Sequence, residues 1–307
     1  MKHLLFSRHL FEENEAEKGD YSMNLQQGIH RMKRGRIGLA LGGGGALGLA
    51  HVGVLKALEE FGIHPAVISG NSAGALVGGL YASGMSVETI IELSQELGDN
   101  MFDHFKMSLR SGLVSAKHIH HLLLEILGDK RIEDCEIPFY AAAVDLNSGR
   151  NYYIYRGRIA DAIRASVSVP GIFRPFAANG LLLVDGGTRD SVPLRALEMH
   201  RLSLRIAVGL LKTSLNKDFP ERLDILPDTE KEEGEKNATP GLTRILSRAM
   251  AISSTESTFK SIKLNPPDLA LYIDIADKMK IWDFKRHEMA IEEGYRQACE
   301  QLKKYFG

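Results

Sequence analysis

The residue best placed to do chemistry is Ser72, framed as Gly70-Asn71-Ser72-Ala73-Gly74 after the apolar run Pro65-Ala66-Val67-Ile68-Ser69. A strand that turns sharply through a serine into a small-residue helix, Ala73 to Tyr81, holds a hydroxyl at a strained corner. There it meets the positive end of the helix. The hydroxyl becomes a nucleophile only if a base takes its proton and donors receive the charge that develops on the attacked carbonyl. Gly-x-Ser-x-Gly is a weak pattern by itself, because its fixed residues are common. The partners must come from elsewhere in the chain.

Donors are offered by the glycine run Gly42-Gly43-Gly44-Gly45, which follows the apolar stretch Arg36 to Leu41 and precedes a helical pattern from about Leu47 to Phe61. Three readings compete. Gly43, Gly45 and Gly48 satisfy the GxGxxG spacing of a dinucleotide loop, yet the next strand ends in Ser69-Gly70-Asn71-Ser72 and has no carboxylate to hold a ribose. A plain tight turn is the second. The third, favoured by the neighbouring serine corner, is an oxyanion hole whose backbone N–H groups sit at the start of a helix.

For the base, the order of an α/β-hydrolase triad asks for a histidine after the acid. After Asp185 the chain offers His200, between Met199 and Arg201, and His287, beside Arg286 and Glu288. Neither lies in a glycine-framed loop. Asp185 ends the apolar run Leu181-Leu182-Leu183-Val184 and opens Asp185-Gly186-Gly187, so its short carboxylate can take the Ser72 proton directly. The competing reading is a turn aspartate that caps the two glycines.

The elements that must carry these residues alternate in type. Strand, glycine loop, helix, strand, serine turn and helix make a βαβα unit, which implies parallel strands with right-handed crossovers. Helical patterns follow over Val87 to Leu97 and Ala116 to Leu127, then a strand over Pro138 to Val144 and another over Asn151 to Tyr155, joined by the turn Asn147 to Arg150. A helix, Ile159 to Ala165, leads into Ser166-Val167-Ser168-Val169-Pro170-Gly171, and Leu181 to Val184 reads as a buried strand. Further strands are expected over Arg205 to Leu211 and Leu269 to Ile275, with helices over Leu242 to Ser261 and Phe284 to Tyr305. Residues 1–34 read as a polar extension outside the core, and residues 212–241 as an acidic surface excursion within one domain spanning residues 35–307. The stretch Asn100 to Met107 reads as a connector with its Phe and Met packed inward, with a lid or lipid-facing surface as the alternative.

Composition narrows the function classes. A net charge of -1 over 307 residues gives no electrostatic reason to expect nucleic acid. Cys135 and Cys299 form no CxxC or Cys/His cluster, so neither a disulfide framework nor a metal site is expected. The N-terminus lacks a long apolar region of the secretory kind, which suggests a cytoplasmic protein. Ile37 to Leu55 and Phe61 to Val87 are long and uncharged, but their glycine runs and Pro65 fit buried strand–turn–helix units better than membrane spans.

Taken together, Gly42 to Gly48, His51-Val52-Gly53-Val54-Leu55, Gly70 to Gly74, Ser168-Val169-Pro170 with Phe173 and Pro175, and Asp185-Gly186-Gly187 resemble the patatin-like phospholipase family in order and spacing. The resemblance runs from about Arg36 to Tyr305 and is closest to bacterial single-domain members. It implies a three-layer α/β/α fold with a central, mostly parallel sheet, and metal-independent, cofactor-free hydrolysis of acyl esters in lipids. It also implies a Ser-Asp dyad with Ser72 as nucleophile and Asp185 as base, and backbone amides of Gly43, Gly44 and Gly45 as the oxyanion hole. The partner expected is a lipid or other acyl ester, with peripheral contact at the inner membrane face left open. Leu47 stands where many members carry Arg or Lys, His51 is expected to be a structural hydrogen-bonder, and Ser166 and Ser168 are expected to shape a loop beside the site. A non-catalytic adaptor on the same fold is the alternative.

Overall fold

The run Ile37–Leu41 forms β1, buried along its whole length, and its alternation sends Leu39 and Leu41 into one apolar layer and Ala40 into the other. A computed structural model describes residues 35–95, 117–211, 242–275, 278–279, 281 and 283–306. The extension 1–34, the connector at 100–107 and the excursion 212–241 lie outside the described residues.

From β1 the chain passes through the glycine loop and a short 3-10 turn, Gly45–Leu49, into helix α1, Ala50–Glu60. Strand β2, Pro65–Asn71, then enters α2, Ala73–Ala82. A helical stretch follows at 87–95, then α3, Lys117–Leu127, and the hairpin of β3, Phe139–Asp145, and β4, Asn151–Ile154. Helix α4, Ile159–Ser166, leads to β5, Phe176–Ala178, and β6, Leu181–Asp185. Strand β7, Leu204–Leu211, helix α5, Leu242–Leu264, strand β8, Leu269–Asp274, and helix α6, His287–Phe306, complete the described order.

The eight strands form one sheet in the order β5-β6-β3-β2-β1-β7-β8, with β4 on the remaining side of β3. Strands β3, β2, β1, β7 and β8 are mutually parallel, so the sheet is mostly parallel, as the alternating sequence pattern predicts. Helices α1, α2, α4 and α6 pack residues such as Leu55, Val77, Ile163 and Leu302 with the strands on one face. The other face is covered by Leu194 and Leu197 of a 3-10 segment and by Ile262 of α5. This is an α/β/α arrangement with unequal layers.

Two expectations need correction. Strand β6 is antiparallel to β3 and to the short β5, so Asp185 does not end a parallel strand. Nor is that strand buried throughout, since Leu182 is exposed and only Leu183, Val184 and Asp185 are covered. Strand direction depends on the partner, and the partner is set far away in sequence.

Candidate active site

The edge of β3 brings the two candidate groups together. Its residues Ala141 and Ala142 pair with β4 and β2 at once, and Ala143 and Val144 with β4 and β6. Strands β2 and β6 therefore share the edge opposite β4 and approach each other head-on. Asn71, at the end of β2, faces Ala142, while Asp185, at the end of β6, faces the next residue, Ala143. Ser72 follows Asn71 directly, so the hydroxyl and the carboxylate converge where one strand ends and the other arrives.

Ser72 has φ 53° and ψ -119°, a conformation that non-glycine residues rarely adopt. It occupies the N-cap of α2, a position where serine usually accepts from the helix backbone, yet its side chain makes no cap hydrogen bond. The hydroxyl is left available for chemistry. The turn tolerates no side chain beside it: a Cβ on Gly74 would lie 2.3 Å from the Leu41 carbonyl oxygen, and one on Gly70 would lie 2.3 Å from that of Gly74. The strained backbone is tethered by the Ser72 N–H, which donates to Ser166 Oγ at 2.8 Å.

Asp185 is nearly buried, with 7% of its surface exposed, as is Ser72. Its Oδ1 accepts from Gly187 N–H at 2.7 Å, so the capping role considered from sequence is real. Burial pushes the carboxyl above the usual aspartate range, and the Ser72 hydroxyl, the Gly187 N–H and the Asn71 amide, all facing the carboxylate, pull it back. The result is a carboxylate more basic than a solvated one. Asn71 fills the space between the loops: a Cβ on Gly43, Gly186 or Gly187 would come within 2.7, 2.5 and 2.9 Å of its side-chain amide.

The glycine loop leaves β1 beside the serine turn because Leu41 pairs with Gly70. Its amides are not equivalent. Gly42 N–H donates to Val208 O at 3.0 Å and Gly43 N–H to Ser191 O at 3.1 Å, which anchors the loop but occupies the Gly43 donor. Among the described residues, the N–H groups of Gly44 and Gly45 have no acceptor outside their own turn. Gly45, at φ 58°, lies against the Ile281 carbonyl, and the adjacent Ala46 N–H donates to that oxygen at 2.8 Å. His51 holds the loop from below. Its Nε2 lies 2.7 Å from the Gly42 carbonyl, which can only accept, so Nε2 carries the proton. Burial pulls its pKa down to about 4, so the ring is neutral near neutral pH.

The other sequence candidates fall elsewhere. His200 lies ahead of β7, at the end of the sheet where the parallel strands begin, and its Nε2 pairs with the Tyr140 hydroxyl at 2.9 Å. His287 opens α6, with a buried Nδ1 that has no partner among the described residues. Leu47 packs into the main core at 5% exposure, so the position that departs from the family pattern presents nothing to the site. Two contributors escaped the sequence reading. Ser191 supplies the carbonyl that holds Gly43, and Arg164, buried in α4, donates to Ser168 Oγ and to Arg174 O. Burial lowers the Arg164 pKa to about 10, and no carboxylate among the described residues raises it back.

The sequence profile described as patatin-like phospholipase matches residues 39–198, just over half of the chain. An uncharacterized NTE family protein of Mycobacterium tuberculosis is 38% identical over 178 residues, covering 57% of this chain and 49% of that protein. A lysophospholipase named NTE1 from Pyricularia oryzae is 28% identical over 301 residues, covering 94% of this chain and 19% of the fungal protein. The chain thus spans about half, or less, of the curated relatives it matches. Among solved structures, VipD of Legionella pneumophila aligns with a TM-score of 0.49 and 16% identity over 88% of this chain and 67% of that one.

Proposed function

Because the chain belongs to the patatin-like phospholipase family, we propose that it is a serine acyl hydrolase acting on lipid esters through Ser72 and Asp185. The observation that carries the reading is the head-on meeting of β2 and β6: an uncapped serine hydroxyl at φ 53° faces a buried carboxylate whose pKa burial has raised. Asp185 accepts the Ser72 proton while Ser72 Oγ forms a bond to the ester carbonyl carbon. The carbonyl oxygen becomes an oxyanion that takes hydrogen bonds from the Gly44 and Gly45 amides. Of the three amides expected from the sequence, these two have donors to spare, and Gly43 serves as the anchor. The C–O bond to the leaving alcohol then breaks, and Asp185 returns the proton to that oxygen. Water attacks the acyl-enzyme with Asp185 again as base, releasing the carboxylic acid and restoring the Ser72 hydroxyl. Each oxyanion donor is worth about 3 kcal/mol of barrier.

The lysophospholipase name of the fungal relative supports a lysophospholipid or a related phospholipid as the substrate class. The domain that does this comprises residues 35–307, with 1–34 as an extension and 212–241 as an excursion from it. The test is capture of Ser72 by a fluorophosphonate probe, located by mass spectrometry of the peptide. Stoichiometric labelling that Ser72→Ala abolishes is expected. A folded protein that forms no adduct at Ser72 refutes the hydrolase reading and favours the adaptor.

A further inference from the structure

The nucleophile and the base are tied to one short segment. Ser166, the last residue of α4, accepts the Ser72 N–H at its Oγ at 2.8 Å. Two residues on, the Ser168 carbonyl accepts the Asp185 N–H at 3.0 Å. Both serines are fully buried. The segment is itself anchored: Arg164 donates through one guanidinium nitrogen to Ser168 Oγ and through the other to the Arg174 carbonyl at 3.0 Å, and Ser168 Oγ donates to the Arg164 carbonyl at 2.9 Å.

We propose that Arg164, Ser166 and Ser168 are positioning residues that set the separation of Ser72 from Asp185. The inference rests on the dyad reading above. Three features of the geometry favour a positional role over a contribution to packing alone. Ser166 contacts the strained residue through its backbone N–H, the group whose placement fixes the turn at φ 53°. The bonds to the two halves of the site come from residues only two apart, so the tripeptide acts as a gauge between them. A guanidinium fork is rigid and spans two acceptors at once, so it can hold the Ser168 hydroxyl and the Arg174 carbonyl in a fixed relation, which a lysine cannot do. Its cation has no carboxylate partner among the described residues and lies over the Phe176 ring at 6.0 Å from the centroid, so what ties it to the segment is its pair of hydrogen bonds.

The test compares steady-state kinetics and fluorophosphonate capture rates for Ser166→Ala, Ser168→Ala and Arg164→Lys. The control, Tyr81→Phe, deletes the 2.8 Å hydrogen bond from Tyr81 to Glu59 at the far end of α2. A displacement of about 1 Å at the reacting atoms costs about 10²-fold in rate. Ser166→Ala is therefore expected to lose about 10²-fold in kcat and in capture rate with KM unchanged. Ser168→Ala and Arg164→Lys should show smaller losses of the same kind, and Tyr81→Phe should lower Tm without moving kcat. Wild-type kcat in folded Ser166→Ala, or an equal kcat loss in Tyr81→Phe, overturns the proposal. If Ser166→Ala does not fold, Ser168→Ala decides on the same criteria. Wild-type kcat in the serine variants while Asp185→Asn is inactive removes the positioning role and keeps the dyad. Full activity in Asp185→Asn removes both.

Discussion

His51 couples the acid stability of the fold to the glycine loop. The ring is fully buried, its Nε2–H is committed to the Gly42 carbonyl at 2.7 Å, and its Nδ1 has no partner among the described residues. A second proton would place an unpaired charge in the core, which is why burial takes the pKa from 6.5 to about 4. The folded pKa lies below the unfolded one, so between them the unfolded chain binds more protons. Stability is intact above about pH 6.5 and is lost as the pH falls towards about 4. The difference, 6.5 minus about 4, amounts to about 3 kcal/mol at full protonation, most of which is lost by about pH 4.5. Urea unfolding of the wild type and of His51→Gln, which keeps a donor for Gly42 and cannot titrate, isolates the effect because the carboxylates contribute equally to both. Relative to the wild type, the variant should gain roughly 2–3 kcal/mol between about pH 7.5 and about pH 4.5. Parallel stability curves across that range refute the buried, neutral histidine.

The remaining predictions concern the site and its supports. In Gly74→Ala the new methyl meets the Leu41 carbonyl carbon and oxygen at 2.6 and 2.3 Å, both backbone atoms, so the serine turn must shift. A loss of roughly 1–3 kcal/mol in stability together with loss of esterase activity is expected, read by unfolding and by a p-nitrophenyl ester assay. Because burial raises the Asp185 pKa and the base must be ionised, kcat/KM should fall with decreasing pH along a limb centred above the ordinary aspartate value of 3.8. A limb centred at or below that value contradicts the desolvated base. Ser261→Ala removes the 2.6 Å hydrogen bond to the buried carboxylate of Asp190, which also accepts from the Tyr153 hydroxyl at 2.9 Å, and should cost roughly 1–3 kcal/mol in urea unfolding.

The first two strand–turn–helix units were legible because their signals are local. Glycines punctuate them, and apolar runs of strand length precede helical patterns, so Ser72 and the glycine loop could be placed from neighbours a few residues away. Asp185 was legible as a residue, but not its manner of approach, since the antiparallel direction of β6 follows from pairing with β3 some forty residues earlier. Strand β5 went unread because it is three residues long and only partly covered. The division of labour within the glycine loop was hidden as well. Gly43 is occupied by the carbonyl of Ser191, a contact made only when the loop after β6 folds back over β1. Arg164 carries no local mark of burial, for a charged residue on a helix normally faces solvent, and only the packing of α4 behind the site encloses it.

In the proposed mechanism Asp185, and no histidine, takes the Ser72 proton. Hydrolysis of a short-chain p-nitrophenyl ester by Asp185→Asn, His200→Ala and His287→Ala, each confirmed as folded and read against the Ser72→Ala background, tests it most directly. Asp185→Asn is expected to fall to that background and to gain Tm, since burying its carboxylate costs the native state stability at neutral pH, while both histidine variants keep wild-type rates. Wild-type turnover in Asp185→Asn, or loss of turnover in either folded histidine variant, contradicts it.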